Sequence, residues 1–321
     1  MKIQAKVDIF PLKNTFTISR GSRNQAEVLT VSINENGVTG YGECVPYLRY
    51  DETIESVLNQ INNVQFLNRL DLQTVLPPGA ARNALDCALW DLEAKKNKTS
   101  VYKLAQLNKP KPVLTAYTLS LDDPIKMGEQ AKINSFRHTL KIKLGSGDLD
   151  FERIKEVKKN APNSNIIVDA NEGWSIKEYQ FMAPKLLDLG VKMVEQPLPS
   201  ENDDELLGIK RSLPVCADES CHDRTSLEKC LGKYDLINIK LDKTGGLTEA
   251  LLLKEKALSM DFEVMVGCMI GSSLAMAPAV LIAQDVKWVD LDGPLLLAQD
   301  RKNSLDFSQE GIHPPSKKLW G

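Results

Sequence analysis

Three acidic residues stand in short, distinctive settings: Asp169 in Val-Asp-Ala-Asn-Glu-Gly-Trp, Glu195 in Glu-Gln-Pro and Asp218 in Ala-Asp-Glu-Ser. Lysines flank them, Lys141 and Lys143 in Leu-Lys-Ile-Lys and Lys240 in Asn-Ile-Lys-Leu-Asp-Lys-Thr-Gly-Gly. One such acid alone reads as a helix cap or a salt-bridge partner. Three that converge repel one another unless a cation neutralises them, and an all-oxygen set suits magnesium better than zinc. The three histidines (His138, His222, His313) show no H-E-x-x-H spacing, which argues against an imidazole metal site. Lysines between Ile and Leu in a strand are not ordinary surface lysines. Crowded together beside a metal, they are expected to have lowered pKa values and to act as bases. Lys243 reads instead as a solvated surface residue. The chemistry this set can do is proton transfer at the α-carbon of a carboxylate substrate. Lys143 or Lys240 takes the proton from one face and the other returns it on the opposite face, while the cation and Lys141 hold the developing enediolate charge.

Such convergence needs a scaffold. The polar residues 143, 169, 195, 218 and 240 each end a short apolar run and recur at roughly two dozen residues, the length of one strand-plus-helix unit. The runs are Leu114–Thr118, Thr139–Lys143, Asn165–Asp169, Met193–Glu195, Val215–Asp218, Leu236–Lys240 and Glu263–Val266. An open doubly wound sheet has the same texture but gathers its polar groups near one switch point, so recurrence at successive strand ends favours a closed barrel. Alternation puts Lys141 and Lys143 on one face and Leu140 and Ile142 on the other. Before residue 110 the pattern differs: strands at 2–9, 28–33 and 38–41, the last two joined by the turn Asn34-Glu35-Asn36-Gly37, then helical periodicity at 53–61 and from Pro77-Pro78-Gly79 through 80–96, an α+β unit. That last helix reads as packing between the two units.

Composition fits a globular enzyme: 321 residues, 42% hydrophobic, 26% charged, 40 basic against 43 acidic, formal charge −3. No charge block points to nucleic acid, no apolar stretch to a membrane, and the amino terminus lacks a signal-peptide core. The expectation is a cytoplasmic protein with a small-molecule partner, a homo-oligomer being left open. The six cysteines lack C-x-x-C spacing and read as reduced, mostly buried thiols. Gly145-Ser146-Gly147 and Gly245-Gly246 fit no phosphate-loop pattern and read as turn glycines.

Lys-x-Lys, Asp-Ala-Asn, Glu-Gln-Pro, Asp-Glu-Ser and Lys-Leu-x-Lys-x-Gly-Gly together resemble the muconate-lactonizing subgroup of the enolase superfamily over essentially the whole chain. Arg20-Gly21-Ser22-Arg23, Gly42-Glu43-Cys44-Val45-Pro46-Tyr47 and Ala80-Ala81-Arg82-Asn83-Ala84-Leu85-Asp86 resemble the cap of its dipeptide epimerases. The resemblance implies an α/β fold, a modified TIM barrel (β/α)7β with an enolase-type α+β capping domain: cap 1–112, barrel 113–294, and a segment 295–321 returning to the cap. It implies Mg2+ on Asp169, Glu195 and Asp218, with Lys143 and Lys240 as the acid/base pair. It further implies a dipeptide lined by Thr118, Lys141, Cys268, Met269 and Ile270, its ammonium held by Asp290 and Asp292 and an acidic second side chain met by Arg23 in a cap loop at 15–24. An o-succinylbenzoate synthase or cycloisomerase-type lyase of the same superfamily is the alternative.

Overall fold

The computed structural model describes residues 1–66, 68–145 and 147–321; Ser146 of the glycine-flanked run lies outside them. The chain opens with antiparallel strands β1 (Lys2–Ile18), β2 (Gly21–Glu35) and β3 (Val38–Cys44). Asn36 and Gly37 (φ 51° and 83°) turn β2 into β3, the left-handed pair that a two-residue hairpin requires. The first hairpin runs further than the alternation at 2–9 suggested. The segment 15–24 is no loop: Phe16 pairs with Arg23 and Ile18 with Gly21, which leaves Ser19 and Arg20 at the turn. A register shift between Pro11 and Phe16, across polar Lys13-Asn14-Thr15, breaks the pattern by which the strand would be recognised.

Leu29, Val31 and Ile33 of β2 build the cap core with helix Ala80–Lys96. Glycines at 40 and 42 let β3 lie on that helix, because a Cβ at either would stand 2.1 Å from the carbonyl oxygen of Ala88 or Ala84. The helix is buried on its other side too, against the barrel. Asp86 accepts hydrogen bonds from Thr248 N and Oγ1 (2.9 and 2.6 Å), Arg82 donates to Thr244 O, and Trp90 Nε1 to Thr248 Oγ1.

Eight parallel strands follow in sequence order: β4 (Tyr117–Leu119), β5 (Thr139–Lys143), β6 (Asn165–Asp169), β7 (Val191–Glu195), β8 (Val215–Ala217), β9 (Leu236–Ile239), β10 (Glu263–Gly267) and β11 (Trp288–Asp290). Ala116 N donates to Val289 O at 2.7 Å, bringing the last strand back to the first. This is the expected barrel. Its eighth strand, Trp288–Asp290, is not among the runs read from the sequence. Two crossovers depart from βα alternation: those after β7 and β8 carry 3₁₀ turns, Ser200–Leu206 and Leu227–Cys230. Pro197, Pro199 and Pro214, which lack amide donors, flank the first of these turns. At the other end of the chain, Trp320 is buried against the cap helix and donates from Nε1 to Cys87 O at 3.0 Å. Among the described residues no helix is long and apolar enough to cross a membrane.

Candidate active site

Inward-facing residues alternate along each strand and stack in layers. Ala116, Ile167, Met193, Cys216, Leu236 and Met265 form an apolar floor with Trp288. Two residues further along each strand the inward positions turn polar: Thr118, Lys141, Asp169, Glu195, Asp218, Asn238 and Asp290. Gly267 is the exception, since a Cβ there would meet the Asn238 amide at 2.7 Å. One more step up stand Lys143 and Lys240.

Opposite charges interlock in this layer. Lys141 Nζ lies 2.6 Å from Glu195 Oε2, 2.8 Å from Asp290 Oδ2 and 3.2 Å from Asp169 Oδ2. Lys143 Nζ is 2.6 Å from Asp169 Oδ2, and Lys240 Nζ 2.6 Å from Asp218 Oδ2. For Lys141 and Lys240 the shift runs opposite to the lowering expected beside a metal. Burial pulls Lys141 and Lys240 down, but the carboxylates around them outweigh it and hold both ammonium groups above their usual range. The same pairs hold Asp169 and Asp218 below the usual carboxylate range against the effect of burial, while burial and the neighbouring Asp169 push Glu195 up.

Lys243 also corrects the sequence reading. It is fully buried, 2.7 Å from Asp218 Oδ1, and donates to the carbonyls of Asp218, Cys221 and Asn238. It sits on the short helix Leu241–Thr244 that follows Lys240, which turns it back under the strand ends rather than out to solvent. Three further residues were missed. Asn238 donates to Glu195 Oε1 at 2.8 Å, and its position two before Lys240 was the available signal. Gln196 accepts from the amides of Asp218 and Ser220. Glu219, next to Asp218, has one carboxylate oxygen paired with Arg20 and the other buried without a hydrogen bond.

The carboxylates have the donor chemistry for a hard cation. Among the described residues no three His, Cys, Asp or Glu side chains are gathered as a ready cage; lysines occupy the space between them. Glu195 Oε2 and Asp218 Oδ1 nevertheless accept no well-formed hydrogen bond, being met only by the ammonium groups of Lys141 and Lys243. These oxygens, held by cations rather than by hydrogen bonds, and the all-oxygen set fit Mg2+.

Above this layer lies a cavity of about 420 Å³. Lys141, Lys143, Asp218 and Lys240 reach its base, whereas Asp169 and Glu195 are fully buried beneath it. Thr118, Asp290 and Asp292 line one side and Cys268, Met269 and Ile270 the adjoining wall. Thr118 N donates to Asp292 Oδ2 at 2.6 Å. Burial, reinforced by Asp290, pushes the Asp292 carboxyl up to about 7. Arg23 lines the cap side with its guanidinium 5.8 Å from the Tyr47 ring centroid.

Residues 3–105 match the mandelate racemase/muconate lactonizing enzyme N-terminal domain, and residues 126–315 the enolase C-terminal domain-like family. The chain is 43% identical to the L-Ala-D/L-Glu epimerase of Escherichia coli K12, over 95% of this chain and 97% of that protein. It is 42% identical to an N-acetyl-D-glutamate racemase of a Pseudoalteromonas species, over 92% and 95%. An enolase family member from Agrobacterium tumefaciens, with bound sodium and L-Ala-L-Glu, superposes with a TM-score of 0.97 at 46% identity over 99% of both chains. A dipeptide epimerase from Enterococcus faecalis, complexed with Mg and L-Leu-L-Tyr, gives 0.90 at 28% identity over 98% and 96%.

Proposed function

The chain belongs to the mandelate racemase/muconate lactonizing enzyme family of the enolase superfamily, and from that premise we propose that it is a dipeptide epimerase. It inverts the α-carbon of the C-terminal residue of Ala-Glu, Ala-Ala or another Ala-Xaa. One observation carries the substrate class. Asp290 is already paired with Lys141, but Asp292, equally buried, has an amide partner and no ion pair among the described residues. A buried carboxylate lacking a counter-charge is costly, and the free ammonium of a dipeptide supplies one. The neutral amide of an N-acyl amino acid does not, which favours the dipeptide over the substrate named for the racemase relative. Arg23, on the opposite wall, faces the side chain of the second residue and suits an acidic one.

Lys143 on β5 and Lys240 after β9 stand half-way round the barrel from each other. In the proposed reaction one removes the α-proton and the other delivers a proton to the opposite face, which inverts the carbon. Lys141, fixed among three acids, keeps a positive charge beside the substrate carboxylate as it gains electron density. Asp169, Glu195 and Asp218 would hold Mg2+, which when bound would supply Lewis-acid stabilisation of that charge. The apolar floor below and the cap hairpin above limit water at the reacting carbon.

The test is incubation with Mg2+ in D2O against Ala-Glu, Ala-Ala, N-acetylglutamate and a succinylcyclohexene carboxylate, with α-proton signals followed by NMR. Exchange on the dipeptides supports the reading. Exchange on N-acetylglutamate alone, or elimination from the cyclohexene, replaces it with the racemase or the lyase.

A further inference from the structure

We propose that Arg20 is a positioning residue, a latch through which the tip of the cap hairpin sets the two loops that carry Asp169 and Asp218; this rests on their reading as metal ligands. Arg20 stands at the two-residue turn between β1 and β2. Its Nη1 donates to Asn171 O at 2.8 Å and to Glu172 Oε2 at 3.1 Å, and its Nη2 to Glu219 Oε1 at 2.7 Å and to Tyr47 OH at 3.1 Å. One planar guanidinium thus joins the residues two and three past Asp169 to the residue next after Asp218. Asn171 closes the link on one side, its amide donating to Asp169 Oδ1 at 2.9 Å. On the other side Glu219 is bonded in sequence to Asp218.

Two features make this more than a brace. Asn171 and Glu172 are consecutive non-glycine residues in the left-handed region (φ 46° and 64°), a conformation that persists only where surrounding contacts hold it. The barrel holds the pair through Glu172 N to Gln196 O and Asn171 N to Asp169 Oδ1, and the cap adds to these: Ser19 Oγ and Arg20 converge on Asn171 O, and Arg49 joins Arg20 on the Glu172 carboxylate. Glu219, moreover, is buried with one oxygen already lacking a hydrogen bond. Without Arg20 it would be a bare negative charge beside Asp218. Seating the hairpin therefore does two things together. It closes the cavity over the substrate, and it relaxes and aligns the acids below.

The experiment compares unaltered protein with Arg20→Gln, Arg20→Lys and Glu219→Gln, measuring Mg2+ Kd by calorimetry without dipeptide, kcat and KM on Ala-Glu, and Tm. A single ammonium cannot reach both loops, so Arg20→Lys is expected to behave like Arg20→Gln. Each should raise the Mg2+ Kd about 10–100-fold, the usual effect of losing a group that orients a metal ligand. The double variant Arg20→Gln/Glu219→Gln should bind Mg2+ no worse than Arg20→Gln alone, because the removed charges cancel. Glu219→Gln approaches the same link from the barrel and keeps the test open if Arg20→Gln folds poorly. An Mg2+ Kd within about fivefold of the unaltered protein in the Arg20 variants, with only Tm lowered, overturns the latch. Failure of the unaltered protein to bind Mg2+ overturns the metal reading and the latch with it.

Discussion

At the seam between cap and barrel, the buried Glu43 pairs with Arg301, but two other buried acids are met by neutral donors. Asp86 accepts from the Thr248 amide and hydroxyl and from Gln73, and Asp242 accepts from the Val45 amide and Asn83. At the barrel mouth, equally buried acids are met by lysine ammonium groups, and among the described residues some oxygens accept no hydrogen bond and Asp292 has no ion pair. Fixed neutral donors lock one geometry and leave no role for a ligand. Ion pairs on long side chains can be exchanged for a cation and a charged substrate, so the mouth keeps open what the seam settles.

Substitutions should separate the two regions. The largest effect is expected at the proton-transferring pair: Lys143→Ala and Lys240→Ala should each reduce epimerisation by roughly 10²–10⁴-fold. Each variant should keep α-proton exchange on only one substrate enantiomer, opposite for the two; equal turnover in both would sink the two-base assignment. Next, Asp292→Asn should raise KM for Ala-Glu by about 10–100-fold, the value of a charge-assisted hydrogen bond. It should do so without loss of stability. The folded carboxyl titrates near 7, above its unfolded value of 3.8, so ionising it at pH 8 works against folding, and the amide should match or exceed the unaltered Tm. Asp86→Ala is the mirror case. It strands the Thr248 amide, should cost about 2 kcal/mol in denaturant unfolding, and should leave kcat of the folded fraction unchanged. A loss of kcat without loss of stability there would erase the distinction. The smallest effect is the pH dependence: KM for Ala-Glu should fall by up to about tenfold between pH 6 and 8 as Asp292 deprotonates, and Asp292→Asn should flatten that profile.

The strand-end acids and Lys143 and Lys240 were legible because barrel strands repeat at a near-constant interval and alternate strictly, so position in the run determines direction. Asn238 obeys the same rule and was overlooked only because an amide carries no obvious chemistry. Lys243 was misread because its burial depends on a four-residue helix folding it back beneath β8, which no periodicity announces. The hairpin tip was hidden for a related reason. Its contacts to Asn171, Glu172 and Glu219 join residues some 150 to 200 positions apart, and pairing at that range is set by how two domains dock. The βα alternation failed in the crossovers after β7 and β8, which carry 3₁₀ turns in place of helices.

The apolar floor of Ala116, Ile167, Met193, Cys216, Leu236 and Met265 closes the barrel beneath the cavity. In the proposed function the cation rests on the lowest acids and the dipeptide above it, which imposes a queue: cation ahead of dipeptide on the way in, and product ahead of cation on the way out. Steady-state kinetics should then be ordered. Dipeptide in excess should slow the escape of the ion by standing above it, and chelators should act promptly on the resting protein but sluggishly during turnover.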